Sequence, residues 1–338
     1  MPTPARLSRV ATLAAALVVL VALSAVPAAA RPPVAGPVEV FAGDLAGPEG
    51  LAFTRDGRLI VGSTTGDLLS FGPDGVGELL ATVQGPLAGI TVLADGRILA
   101  TSVPNDRIWA VTPDGESTLF AEGIGGPNFV VQSIRSGRVF VSGSTSGNIV
   151  EIIDGEPFVL ASGLNFPNGL ATWETGGQSW LYVALTLPGH IIRMRLLSDG
   201  SLGEPELYAE GLPIADGIAF DRAGNLLVVG GGMLLAVTPS REVVELSEDP
   251  LLNWPSNLAF GQGPGFDTRD VYLANFGNAF GNGTDVVRFR YSNPGAPLAS
   301  TLGSGSLCTP SSFLAHRAPI GRGSIRCTPS IPRRLPRR

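Results

Sequence analysis

Asp216-Gly217-Ile218-Ala219-Phe220 returns forty residues later as Ser256-Asn257-Leu258-Ala259-Phe260. The same apolar pattern stands upstream at Pro48-Glu49-Gly50-Leu51-Ala52-Phe53, Ala88-Gly89-Ile90-Thr91-Val92, Asn128-Phe129-Val130-Val131 and Asn168-Gly169-Leu170-Ala171. The leading positions 49, 88, 128, 168, 216 and 256 are 39, 40, 40, 48 and 40 residues apart, the period of a four-stranded propeller blade. Each unit continues as short runs rich in branched residues, separated by turns such as Arg55-Asp56-Gly57, Pro73-Asp74-Gly75 and Pro113-Asp114-Gly115. Asp-Gly between apolar runs marks hairpins, because glycine accepts the positive φ those turns need. The units therefore read as β-meanders.

The sixth unit offers only three strands, ending with Asp285 to Tyr291, whereas Val38 to Ala42 is an orphan strand ahead of the first unit. Pairing the two closes a ring and removes an exposed sheet edge. The expected fold is all-β: a six-bladed β-propeller of four-stranded blades, closed by the N-terminal strand. An open sandwich gives no reason for six near-equal periods.

Composition narrows the chemistry. The 338 residues include 45 Gly and 28 Pro, which argues against long helical bundles. All 23 basic residues are Arg, so a lysine Schiff base and a P-loop lysine are both absent. Two Cys and two His are too few for a Cys/His zinc site or an iron–sulfur cluster, which leaves oxygen ligands for any metal. The charge is uneven: all 29 acids lie between Glu39 and Asp285, against 14 Arg from Arg31 to Arg290, so the body carries −15. Such a body is a poor ligand for nucleic acid.

The chain divides into three. Residues 1 to 30 read as a cleaved signal peptide, with Arg6 and Arg9 before the apolar run Val10 to Val26 and small residues at Ala28-Ala29-Ala30. The mature protein is thus expected to be exported, secreted or periplasmic, with no membrane span after cleavage. Residues 31 to 291 form the propeller, and 292 to 338, rich in Pro, Ser and Arg, read as an extended or disordered tail. Cys308 and Cys327 there are candidates for a disulfide, with free thiols the alternative.

Strand direction brings the leading positions to one end of the channel, where Glu49, Ala88, Asn128, Asn168, Asp216 and Ser256 face one axis with Asn257 beside the last. Two carboxylates near each other need a cation or a raised pKa. Carboxylate and amide oxygens suit a hard divalent cation. Calcium is favoured for its flexible coordination, with magnesium, manganese and zinc as alternatives. The competing reading of Asn168-Gly169 and Asp216-Gly217 is that Asn and Asp before Gly merely shape turns.

At these residues the chain resembles the family of senescence marker protein, gluconolactonase and luciferin-regenerating enzyme, related in fold to the paraoxonases. The resemblance runs from about Gly47 to Tyr291 and is most specific at Phe166-Pro167-Asn168-Gly169-Leu170, Asp216 through Asp221, and Ser256-Asn257-Leu258-Ala259-Phe260-Gly261. It implies one divalent metal held by Glu49, Asn128, Asn168 and Asp216, with Asp216 also the base. Two departures stand out. Gly126-Pro127 replaces an arginine of the sugar-lactone members, and Phe129 stands where an acid is common. The sugar-binding part of the pattern is therefore not matched, whereas the metal-binding part is retained.

The chemistry expected is hydrolysis of a small-molecule lactone or related ester by a monomeric chain, with a channel cation and Asp216 activating water. His190, in the rim loop Thr186 to His190, is a second candidate base, set against a plain surface histidine. Asn105, Asn257, Phe276 and Phe280 are candidates for substrate contact, the last two in a loop able to cover the channel. The alternatives are a non-catalytic NHL-type propeller that binds a ligand or protein partner across its rim, and a strictosidine-synthase-like condensing propeller that needs no metal ring.

Overall fold

The structure is a computed structural model and describes residues 32–298 apart from 176 and 279. The signal-peptide reading, both cysteines and most of the basic tail lie outside the described residues. Within them are six four-stranded antiparallel sheets, five built from consecutive strands. The sixth takes its outermost strand, Ala35–Ala42, from the N-terminus, paired to Asp285–Tyr291 with Val38 opposite Phe289. The expected closure is therefore present, and the strand begins three residues earlier than the apolar pattern suggested.

Blades are held together by what lies between them. Six separate clusters of buried side chains each join two neighbouring blades. Second strands such as Leu59–Ser63, Ile98–Ser102 and Val139–Gly143 are buried at every residue, because both faces are covered by adjacent blades. This makes them continuous apolar runs rather than alternating ones. Outermost strands such as Gly77–Thr82 are largely exposed. At the closure between blades six and one, Phe41 of the N-terminal strand meets Tyr272 edge-on at 4.9 Å between centroids, and Phe53 meets Phe266 at 4.8 Å.

The expected boundary at residue 291 falls early. Backbone bonds from Ser292 N to Val34 O, Arg222 N to Pro294 O, Gly295 N to Thr268 O and Ala296 N to Phe220 O fasten the chain across blades five and six. The fully buried Asp221 carboxylate accepts from Tyr291 Oη at 3.2 Å and Asn293 Nδ2 at 2.8 Å, so a turn residue of blade five serves as the latch. Ala296, Pro297 and Leu298 then line the channel beyond the leading positions. There the channel holds a mostly apolar cavity of about 100 Å³, lined by Leu51, Ile90, Phe129, Leu170, Ile218 and Leu258.

Candidate metal centre

The leading positions touch their neighbours at five of the six blade junctions around the channel. Ser256 Oγ donates to Glu49 O at 3.0 Å, Gly89 N to Asn128 O at 2.8 Å, and Gly217 N to Ser256 O at 2.8 Å. At two junctions without such a bond, contact is closer still. A Cβ added to Gly50 would lie 2.0 Å from Ala88 O, and one added to Gly169 would lie 2.1 Å from Asp216 O. Neither glycine has a positive φ. Glycine follows the leading residue because the next blade's carbonyl packs against it, which overturns the turn reading of Asn168-Gly169 and Asp216-Gly217. Gly169→Ala is expected to destabilise by about 1–3 kcal/mol through overpacking, read as a shift in denaturant midpoint.

Four of the leading residues, Glu49, Asn128, Asn168 and Ser256, also sit at a bulge. Innermost-strand pairing is irregular between Pro48 and Leu51, Pro127 and Val130, Pro167 and Leu170, and Pro255 and Asn257. A bulge re-aims the side chain it contains, here at the mouth of the channel. Proline suits the first position because it needs no ladder partner there.

Of the six positions four carry free oxygen donors. Ala88 has none, and the Ser256 hydroxyl is committed to Glu49 O. The carboxylates of Glu49 and Asp216 and the amide of Asn128 make no hydrogen bond among the described residues. Asn168 is held more tightly. The Thr186 hydroxyl donates to Ala215 O at 2.8 Å, so it can only accept from Asn168, which must present Nδ2, at 3.1 Å. That leaves Asn168 Oδ1 buried and without a partner. An orphaned buried carbonyl oxygen beside two carboxylates is what a hard cation requires, so the residues present fit such an ion. The described residues contain no cluster of three or more His, Cys, Asp and Glu, so a zinc-type ligand set is not assembled.

Glu49 and Asp216 are half-buried. Burial pushes the Glu49 carboxyl up to about 8. Asp216 is held well above its ordinary range, first by burial and then by the negative charge of Glu49 across the channel.

The other predicted residues are placed as follows. His190 begins the third strand of blade four, opposite Leu185, which is itself opposite Pro167. It is thus on the same rim as Asn168 but two strand spacings outward, about 9–10 Å. Asn105 donates to Gln84 O at 3.1 Å and braces the chain leading to Ala88. Asn257 Oδ1 accepts from Leu258 N at 2.7 Å, its Nδ2 is buried without a partner, and the residue lines the cavity beyond the ring. Phe276 is partly buried, and Phe280 is 90% exposed.

Two supporting residues carry no sequence signal of their own. Thr186 orients Asn168. Asp106 Oδ1 accepts three backbone bonds, from Ile124, Gly125 and Gly126 at 2.8 to 3.1 Å, and so fixes the turn that delivers Asn128. Both belong to rim loops whose outline is readable, yet their partners are 18 to 29 residues away in the chain. Thr186→Val is expected to weaken cation binding about 10–100-fold with the fold retained, measured by titration calorimetry.

Comparison with known proteins agrees with this architecture. The sequence family described as strictosidine synthase-like, N-terminal, matches residues 40–71. Among curated proteins no match is found. Among solved structures, a gluconolactonase from Xanthomonas campestris is similar at 20% identity, covering 78% of this chain and 96% of that one with a TM-score of 0.62. Luciferin-regenerating enzyme is similar at 16% identity, covering 79% and 99%, with a TM-score of 0.63. The calcium-binding protein regucalcin from Agrobacterium tumefaciens is similar at 16% identity, covering 75% and 92%, with a TM-score of 0.59. At these identities the likeness is one of fold: the chain carries the six-bladed propeller of the gluconolactonases and of luciferin-regenerating enzyme.

Proposed function

We propose that this protein is an exported, divalent-cation-dependent hydrolase of lactones or related esters, with calcium as the ion. The observation that carries the reading is the set of unpartnered oxygens at the channel mouth: the buried Asn168 Oδ1, the amide of the buried Asn128, and the half-buried carboxylates of Glu49 and Asp216. The gluconolactonase and regucalcin structures support it by fold. Export rests on the pattern of residues 1 to 30.

Glu49, Asn128, Asn168 and Asp216 would hold the ion, with water completing its shell. Bound there, a divalent cation supplies positive charge that polarises an ester carbonyl and stabilises the negative charge that develops on attack. The Asp216 carboxylate accepts the proton of the attacking water as the new C–O bond forms. It returns that proton to the leaving oxygen as the ester C–O bond breaks, so the products are the acid and the alcohol, joined in one molecule when a lactone opens. Thr186 keeps Asn168 from rotating its oxygen away, and Glu49 balances the cation's charge.

The test is metal analysis of the purified mature protein followed by a lactone and arylester screen with and without chelator. Turnover that chelation abolishes and calcium restores supports the reading. A bound ion without turnover on any ester leaves the binding propeller, and chelator-insensitive chemistry favours the condensing propeller to which residues 40–71 point.

A further inference from the structure

The residue two places before the leading position has a left-handed conformation in five blades. These are Gly47 at φ 57°, Gly126 at 77°, Phe166 at 54°, Ile214 at 48° and Trp254 at 53°. The fold imposes this shape. In four of these blades the carbonyl turned outward by it accepts a bond from the residue after the second strand: Thr64 N to Gly47 O, Ser144 N to Gly126 O, Thr186 N to Phe166 O and Phe276 N to Trp254 O.

Glycine adopts this conformation freely, and blades one and three use it. L-residues meet a steric penalty there, and a β-branched residue such as Ile214 is a genuine outlier. At Gly47 and Gly126 glycine is also required by space, since a Cβ would lie 2.3 Å from Gly281 O or 2.4 Å from Thr145 Oγ1, but the shared backbone shape does not by itself call for the bulky Phe166, Ile214 and Trp254. Their side chains do not repay the penalty by burial either: Phe166 is 38% exposed, Ile214 36%, and Trp254 is only partly covered. Trp254 is also held in place, since Asn275 Nδ2 donates to Leu251 O at 2.7 Å and Asn275 Oδ1 accepts from Asn253 N at 3.1 Å. Leu187, 69% exposed, extends the apolar surface at blade four. Blades four to six thus carry a bulky apolar residue two places before Asn168, Asp216 and Ser256, whereas in blades one and three the same space is filled by Thr64 and Gly281 or by Thr145. Non-glycine residues kept in this region against their preference point to a role in function.

We infer that the substrate is a lactone or ester bearing a bulky apolar substituent, alkyl or aryl, which rests on Phe166, Ile214 and Trp254 while its carbonyl faces the ring. This deepens the hydrolase reading and rests on it. Hydrolysis of the calcium-loaded full chain is compared on γ-dodecalactone and on unsubstituted γ-butyrolactone. Binding of the lactam counterpart of the dodecalactone is followed separately through tryptophan fluorescence.

The wild type is expected to prefer the substituted lactone. The triple variant Phe166→Gly, Ile214→Gly, Trp254→Gly is expected to lose about 10–100-fold in kcat/KM on it and to stay within twofold on γ-butyrolactone. Its melting temperature is expected not to fall, because glycine relieves the positive φ. Trp254→Gly is expected to remove the fluorescence response. Equal loss on both lactones, a wild type without preference, absence of lactam binding, or variants that change only the oligomeric state would each overturn the inference. Lactam binding through Trp254 with no lactone turned over would uphold the apolar site while ending the hydrolase reading.

Discussion

Asp216→Asn is expected to lower ester hydrolysis by about 10²–10⁴-fold, the range for removal of a positioned general base. The substitution keeps the size of the side chain and one oxygen donor but cannot take a proton from water. Chemistry should fall further than cation binding, so KM and kcat separate under saturating calcium. His190→Ala, altered two strand spacings from Asn168, should leave kcat within a factor of a few. The two variants assayed together decide which group is the base. A full loss in His190→Ala with an active Asp216→Asn would transfer the role to the imidazole.

The second large effect is on stability. In the cation-free protein the Glu49 carboxyl is raised by burial from its ordinary 4.5 to about 8. A group whose folded pKa lies above its unfolded value stabilises fully below the unfolded pKa and loses that contribution as pH rises through the folded one. Stability of the chelated protein should therefore fall between pH 4.5 and 8, by about 4 kcal/mol at roughly 1.4 kcal/mol per pH unit. Asp216, raised by burial and by Glu49, adds a loss of the same sign at higher pH.

Calcium should reverse the trend, contributing about 2.7 kcal/mol at a hundredfold excess over its dissociation constant. Denaturant midpoints of chelated and calcium-loaded protein at pH 5 and pH 8 read both effects. Glu49→Gln should flatten the slope in the chelated protein. A midpoint independent of pH and calcium would mean that no ion-demanding pair sits in the channel.

Much of the fold was legible because a propeller repeats its instructions. Each blade spells an apolar innermost strand and Gly-containing turns, and the 39- to 48-residue spacing survives even where single residues differ. The orphan strand and the three-stranded sixth unit predicted the closure for the same reason, that an unpaired edge is costly. The four oxygen-bearing residues shared one register and could be aligned without coordinates. The latch at Asp221 was not legible, because Tyr291 and Asn293 lie 70 and 72 residues away and only folding brings them to that carboxylate.

What the sequence determined on its own was the architecture and the identity of the four candidate donors, since both follow from periodicity. Tertiary structure decided the rest. It showed that the glycines after Glu49 and Asn168 serve close approach of neighbouring blades rather than turns, and that Thr186 selects which atom of Asn168 is left unpartnered. It also showed that residues 292–296 are fastened across blades five and six with Ala296 to Leu298 lining the channel cavity, and that Phe166, Ile214 and Trp254 share a backbone conformation which glycine fills in other blades. These are relations between residues distant in the chain, set by packing and hydrogen bonding that no local pattern encodes.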